Sequence, residues 1–251
     1  MRVEYVGHAT VVVDLDGVRL ITDPLLRNRV AHLKRRVPVD DTALLGVDAV
    51  LISHAHYDHL DLPSLEKLGR EVPIVVPRGL GALLRKRRFE QIVEVEPDSV
   101  VPVGRLEVRA VHAEHDGRRG PFGASTPSLG YVLSGSQTVY FAGDTDLFEE
   151  MSALASPDLA LVPIWGWGPT LGRGGHLDPK RAAEAVRRLA PRVAVPIHWG
   201  TYSPIHLGVR KPPSFLDVPP IEFATAVAEL ASAVEVRVLK PGEALELEPV
   251  G

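Results

Sequence analysis

LISHAHYDHLD, at residues 51–61, is the stretch of sequence that decides the fold. Three histidines and an aspartate (His54, His56, Asp58 and His59) fall within six residues, directly after an apolar run. An apolar run bounded by polar residues is typical of a buried strand, so we expect the cluster where a strand ends and a loop begins. Imidazole and carboxylate groups are the ligands that proteins offer to zinc and similar metals. The stretch therefore indicates a metal-binding loop.

The spacing within this loop suits two neighbouring metals. His54 and His56 are separated by one residue, which lets both side chains point to the same side of an extended segment. Asp58 and His59 are adjacent, so a tight loop can turn them toward different points. The alternative is a polar turn with scattered histidines, which gives these four side chains no structural purpose.

The sequence HAHYDH at residues 54–59 matches the His-x-His-x-Asp-His signature of the metallo-β-lactamase-fold hydrolases, and the chain resembles that family. The resemblance implies an αββα sandwich, with two mixed sheets face to face and helices outside. No repeat, linker or low-complexity tract divides the sequence, so we expect one domain over residues 1–251. The pattern of apolar runs alone predicts only a layered α/β protein.

Strand-forming runs dominate the first half of the chain, and helices alternate with strands in the second half. A basic segment at residues 25–41 is expected to be irregular, either a lid over an anionic substrate or a solvated loop. Helices are predicted from Pro63 and over residues 80–88, 179–189 and 221–231. Strands are predicted over residues 3–6, 10–15, 18–22, 74–77, 92–95, 100–103, 106–111, 129–133, 138–142, 159–164, 193–197 and 234–239.

Composition narrows the class of protein. Of the 251 residues, 45% are hydrophobic and 24% charged, which describes an ordinary soluble domain with a sizeable core. The net charge of −4 does not favour nucleic-acid binding, and the absence of cysteine leaves histidine and carboxylate to hold any metal. The N-terminus lacks the apolar core of a signal peptide and no stretch reaches membrane-spanning length, so we expect a cytoplasmic protein. The family resemblance adds the expectation of a small-molecule substrate, which could be anionic.

The resemblance places three further ligands at the ends of predicted strands. His115 falls on the histidine of the Pro-Ala-x-His element in the related branch, and His112, where the proline would stand, remains an alternative. Asp144 belongs to the family's Gly-Asp-Thr motif, whose aspartate bridges two metals. His198 belongs to the fifth motif and would bind the second metal.

The resemblance thus implies two divalent metals, expected to be zinc, although the nitrogen and oxygen ligands also admit manganese or iron. Two cations roughly 3.5–4 Å apart lower the pKa of a bridging water. Asp58 is then expected to hold the resulting hydroxide and accept its proton. The implied ligands are His54, His56 and His115 on one metal, Asp58, His59 and His198 on the other, and Asp144 on both.

Other residues near these motifs have open roles. The resemblance puts His176, in a His-x-Asp-Pro element, at the mouth of the pocket to bind substrate or donate a proton. The alternative is that His176 only satisfies the end of the helix for which Asp178 is the expected N-cap. His8, in a Gly-His-x-Thr element, is expected to support ligands at most. The Thr-Asp-Pro turn at residues 22–24 recurs close to the metal site in this branch.

Four further features carry weaker expectations. The sequence WGWG at residues 165–168 predicts either an aromatic pocket wall or buried packing. His206 could reach the cleft, and His32 is expected to be an ordinary residue of the basic segment. Asp146 is expected to be a helix N-cap.

Three functions compete. The resemblance favours a dinuclear hydrolase of the ascorbate-6-phosphate lactonase or N-acyl-phosphatidylethanolamine phospholipase D type, acting on a lactone or phosphodiester. A ribonuclease of the same fold is ranked lower, because the chain has no inserted domain and its net charge is negative. A non-hydrolytic di-iron redox or metal-binding protein is disfavoured by His56, which redox relatives usually replace with glutamate.

Overall fold

Aliphatic and β-branched runs pair into two large sheets in the computed structural model, which describes residues 1–119, 126–154, 156–164, 175–205 and 216–249. Helical segments in these residues are α1 (Leu62–Leu68), α2 (Gly81–Lys86), α3 (Pro179–Leu189), α4 (Pro219–Leu230) and 3₁₀ turns at Asp41–Leu44 and Glu149–Leu154. Their strands are β1 (Arg2–Gly7), β2 (Thr10–Leu15), β3 (Val18–Thr22), β4 (Arg29–Val30), β5 (Leu33–Arg35), β6 (Ala49–Leu51), β7 (Ile74–Pro77), β8 (Ile92–Val95), β9 (Val100–Val103), β10 (Leu106–His112), β11 (Leu129–Ser134), β12 (Thr138–Phe141), β13 (Leu159–Pro163), β14 (Val193–Ile197), β15 (Tyr202–Pro204), β16 (Glu235–Val236) and β17 (Glu243–Glu246).

Both large sheets are mixed. The first has the strand order β17-β1-β2-β3-β6-β7-β8, antiparallel from β17 to β3 and parallel from β3 to β8. The second has the order β16-β14-β13-β12-β11-β10-β9, parallel from β16 to β12 and antiparallel from β12 to β9. Parallel strands of each sheet therefore point their carboxyl ends the same way.

The two sheets lie face to face with helices on both outer sides. Val11 and Val13 of β2 belong to the core between the sheets, whereas Val12 on the opposite face of the strand packs with Leu84 of α2. Val186 of α3 packs on the second sheet. Burying such a side chain contributes about 1.5–3 kcal/mol, so apolar burial holds the four layers together. The expected αββα sandwich is confirmed.

Helix starts follow the local sequence. The Asp178 carboxylate accepts a hydrogen bond from the Arg181 amide at 2.8 Å, which makes Asp178 the N-cap of α3 as predicted.

Two other expectations are wrong. Asp146 caps no helix, because its carboxylate is paired with Arg181 and the next helical turn begins at Glu149. The strand predicted over residues 234–239 covers only Glu235–Val236.

The basic segment at residues 25–41 is more ordered than expected. β4 and β5 lie within it and form a three-stranded sheet with β15. Arg35 is buried there and donates hydrogen bonds to the carbonyl oxygens of Val6 at 2.9 Å and Leu25 at 2.7 Å. At least this arginine therefore has a structural partner, and it ties the segment to the end of β1.

Loops that follow β3, β6, β10, β12 and β14 meet at one edge of the sandwich, together with the turn between β1 and β2. This is the edge to which the parallel strands of both sheets point their carboxyl ends, the usual place for ligand sites in α/β proteins. No helix within the described parts of the chain is long and apolar enough to cross a membrane.

Candidate metal centre

Three histidine side chains from two loops converge in a first group. His54 Nε2 lies 2.9 Å from His56 Nδ1, and His115 Nε2 lies 3.2 Å from the same His56 nitrogen. His54 is fully buried and stands three residues after the end of β6, an interior strand of the first sheet. Three imidazole nitrogens directed at one point cannot all be satisfied by one another's hydrogen atoms, but they can share a cation.

A second group lies beside the first. His59 Nε2 is 3.3 Å from His198 Nε2 and 3.7 Å from an Asp58 carboxylate oxygen. The backbone of His198 has a φ of 63°, a left-handed conformation that side chains other than glycine adopt rarely. Such strained residues cluster at functional sites, where the surrounding structure holds them.

Asp144 connects the two groups. Its Oδ2 lies 3.2 Å from His59 Nε2, its Oδ1 lies 3.3 Å from His198 Nε2, and its carboxylate is also within metal-sharing distance of His115. Gly143 makes the turn possible, because a Cβ there would meet the Leu129 carbonyl oxygen at 2.7 Å.

The donor set fits divalent cations. Oδ1 of Asp144 is buried and accepts no hydrogen bond from the described residues. A buried carboxylate oxygen without a hydrogen-bond donor is costly unless a cation neutralises it. Imidazole nitrogens and carboxylate oxygens are the ligands of zinc sites that lack thiolate.

Burial and charge prepare these groups for a cation. Burial lowers the pKa of His54 well below its usual range and that of His115 to about 4, so both rings are neutral and offer lone pairs at neutral pH. Burial opposes the charge of Asp144, but His198 and His59 nevertheless hold its pKa well below the usual range. Burial likewise opposes the charge of His59, but Asp144 and Asp58 raise its pKa well above the usual range, so without a metal its ring is a cation whose Nε2 hydrogen a bound metal would displace.

Asp23 supports the centre, and its role is not evident from the loop sequence. Its Oδ2 accepts hydrogen bonds from His59 Nδ1 at 2.7 Å and from Ser53 Oγ at 2.5 Å. The Ser53 hydroxyl donates to Asp23, so it accepts from His54 Nδ1, 2.9 Å away. With a metal bound, both rings would thereby keep a hydrogen on Nδ1 and direct the Nε2 lone pair at the metal. The sequence signal that could have identified this role is the carboxylate of Asp23 itself, which stands in the Thr-Asp-Pro turn after a strand.

His112 lies apart from the cluster and His115 lies within it. His112 is the last residue of β10, with a half-exposed side chain that contacts Glu114 at 3.3 Å and the ring of Phe148. His115 instead faces His56, as described above. The geometry therefore favours His115 over His112 as a ligand.

His176 lies at the opening of the site. Its Nδ1 is 3.5 Å from Asp144 Oδ2, its ring centroid is 4.6 Å from that of His115, and a quarter of its side chain is exposed. Burial lowers its pKa. Asp178, not His176, caps the helix that follows.

Four expectations remain, for His8, His32, residues 165–168 and His206. His8 lies beside Asp58, in contact with the second group. His32 is exposed in the basic segment. Residues 165–168 and His206 lie outside the described residues.

Residues 18–199 match the family model of the Beta-lactamase superfamily domain. The chain belongs to the beta-lactamase superfamily. A UPF0173 metal-dependent hydrolase of Methanopyrus kandleri is 34% identical over 98% of this chain and 100% of its own length. Among solved structures, a metallo hydrolase from Ignicoccus hospitalis is similar with a TM-score of 0.70 and 26% identity, covering 98% of this chain and 99% of its own.

A third relative carries a substrate in its name. The N-acyl-phosphatidylethanolamine-hydrolyzing phospholipase D 1 of Caenorhabditis elegans is 29% identical over 79% of this chain. The match covers 63% of the worm protein, less than two thirds of its length. These relatives confirm the expected family and its fold, and they make the chain a member of a metal-dependent hydrolase family.

Proposed function

We propose that residues 1–251 form one domain that hydrolyses a small-molecule phosphodiester or lactone with two divalent metal ions. The observation that carries this proposal is the pair of neighbouring ligand groups with Asp144 within reach of both. A site built for one cation would need only three or four of these side chains. The proposed ligands are His54, His56, Asp58, His59, His115, Asp144 and His198.

The metals supply a water of lowered pKa and stabilise negative charge on the substrate oxygen. Zinc is the proposed ion because histidine dominates the ligand set, and manganese or iron would also suit it. The protein residues hold and move protons. Asp58 accepts the proton of the attacking water, and His176, at the opening, binds the substrate or, when protonated, donates a proton to the leaving oxygen. Asp23 and Ser53 keep the ligand histidines in the required tautomer.

The substrate class rests on the relatives and on the opening of the site. The worm relative is named for hydrolysing a phospholipid, whose cleaved bond is a phosphodiester. A neutral His176 beside Asp144 could donate a hydrogen bond to a phosphoryl or carbonyl oxygen. Either substrate would be attacked by water at phosphorus or carbon, and the leaving alkoxide would take up one proton.

A hydrolysis screen tests the proposal. Phosphodiesters, lactones, thioesters and β-lactams are offered to the protein with zinc or manganese added, and we expect turnover of a phosphodiester or lactone. Asp58→Ala should lower kcat by about 10²–10⁴-fold, the usual contribution of a general base, and His54→Ala should abolish turnover. His112→Ala is the matched control and should retain activity, because His112 lies outside the cluster.

Full activity in Asp58→Ala or His54→Ala would refute the mechanism. Cleavage of RNA alone would replace the proposal with the ribonuclease, and oxygen-dependent turnover without hydrolysis would replace it with the di-iron redox protein.

A further inference from the structure

The main chain at His8 is fixed to the segment that carries His198. The amide of His8 donates to Thr201 Oγ1 at 2.6 Å, and its carbonyl oxygen accepts from the His198 amide at 2.7 Å. Its φ of 60° is left-handed. Gly7 permits this close approach, because a Cβ there would lie 2.7 Å from Thr201 Cγ2. The turn between β1 and β2 is therefore held at the second ligand group.

The side chain of His8 touches two of the proposed ligands. Its Nε2 lies 3.1 Å from Asp58 Oδ2, and its ring centroid lies 3.9 Å from that of His198. Asp58 follows a strand of the first sheet and His198 follows a strand of the second. A single buried ring thus joins ligands that come from opposite sheets.

The chemistry of the two side chains determines which one donates the hydrogen bond between His8 and Asp58. An ionised carboxylate only accepts hydrogen bonds, so a hydrogen bond across the 3.1 Å contact requires a hydrogen atom on His8 Nε2. A ring nitrogen that carries a hydrogen has no lone pair for a metal. Asp58 Oδ2 contacts His8 and also lies 3.7 Å from His59 Nε2, so His8 touches the oxygen that faces the second group.

We propose that His8 is a positioning residue that holds Asp58 and His198 in place and so preorganises the second half of the centre. The proposal rests on the two-metal site proposed above and adds a residue that is not itself a ligand. Partners that orient metal ligands typically change metal affinity by about 10–100-fold when they are mutated.

Two substitutions separate this role from ligation. In His8→Gln the amide nitrogen can reach the position of Nε2 and donate to Asp58, whereas in His8→Asn it falls short. Asparagine tolerates the left-handed backbone, so His8→Asn preserves the turn. His112→Asn, at an exposed histidine, is the matched control. The probe is zinc alone, titrated into the full-length chain against a chromogenic chelator, so that the two binding steps are measured separately.

We expect the second zinc to bind about 10–100-fold more weakly to His8→Asn, the first zinc to bind as in the wild type, and His8→Gln to recover most of the loss. Unchanged affinity in His8→Asn would overturn the proposal, and so would equal losses in both variants, which would make His8 a ligand. Loss of both zinc ions in His8→Asn would also overturn it, because His8 would then support the whole fold. A wild-type protein that binds fewer than two zinc ions would instead refute the proposed function.

Discussion

At the level of single residues, the centre depends on which nitrogen of each ring carries the hydrogen. Asp23 sets this for His59 directly and for His54 through Ser53. This chain of hydrogen bonds is fully buried, so water cannot replace a missing partner. The carboxylate of Asp23 therefore helps to fix the orientation of two of the proposed ligands, His54 and His59.

Asp23→Asn tests this dependence. The amide that replaces the carboxylate can donate hydrogen bonds, which conflicts with the donors of His59 and Ser53, so we expect zinc affinity to fall by about 10–100-fold. Competition with a chelator measures the change. Asp41→Asn, at an exposed aspartate that pairs with Lys67, should bind zinc like the wild type. Equal affinity in Asp23→Asn and the wild type would contradict the proposed orienting role.

Residues close together in sequence were the most predictable part of the candidate centre. His54 and His59 could be grouped because they share one short loop, whereas Asp23 reaches His59 only through the parallel pairing of β3 with β6. The resemblance left a choice between His112 and His115, and only the path of the chain after β10 separates them. Their roles as ligands remain predictions until metal binding is measured.

At the level of elements, Arg119 holds the loop at residues 53–60, which carries four of the proposed ligands. Its Nη1 donates to the carbonyl oxygens of Ala55 at 2.5 Å and Leu60 at 3.0 Å, and its guanidinium lies 4.1 Å from the ring centroid of Tyr57. Both ends of the loop are thereby joined to the segment that follows His115.

Removing the Arg119 side chain and its hydrogen bonds should destabilise the protein. Because a hydrogen bond to a charged group contributes about 1.5–3 kcal/mol, we expect Arg119→Ala to lower the free energy of unfolding by at least that amount, measured by urea denaturation. Arg118→Ala changes an exposed neighbour and should stay within about 0.5 kcal/mol of the wild type. Equal stability of the two variants would show that the loop holds its shape without Arg119.

The errors in the predicted elements have physical causes. The basic segment at residues 25–41 was expected to be irregular, because charged side chains usually face solvent. Arg35 is buried instead, and its guanidinium donates hydrogen bonds to carbonyl oxygens that are distant in sequence. Asp146 follows a strand and precedes a helical turn, as an N-cap would, but Arg181 of α3 takes its carboxylate instead. In both cases a tertiary contact overrides the local preference.

At the level of the whole molecule, apolar patterns predicted the layers but not the order of the strands. β17 pairs with β1, so the two ends of the described chain meet in one sheet. Periodicity carries no information about such distant pairing, and the αββα arrangement came instead from the family resemblance. The same arrangement brings loops of both sheets to one edge, where the candidate metal-binding groups meet.

The number of metal ions per chain tests the two-metal centre most directly. Protein purified without chelator is analysed for zinc, manganese and iron by elemental analysis, beside a His198→Ala variant. We expect about two ions per chain in the wild type, as in other two-metal sites. The variant should hold about one, because it keeps His54, His56 and His115. One tightly held ion in the wild type, or the same count in both proteins, would contradict the account.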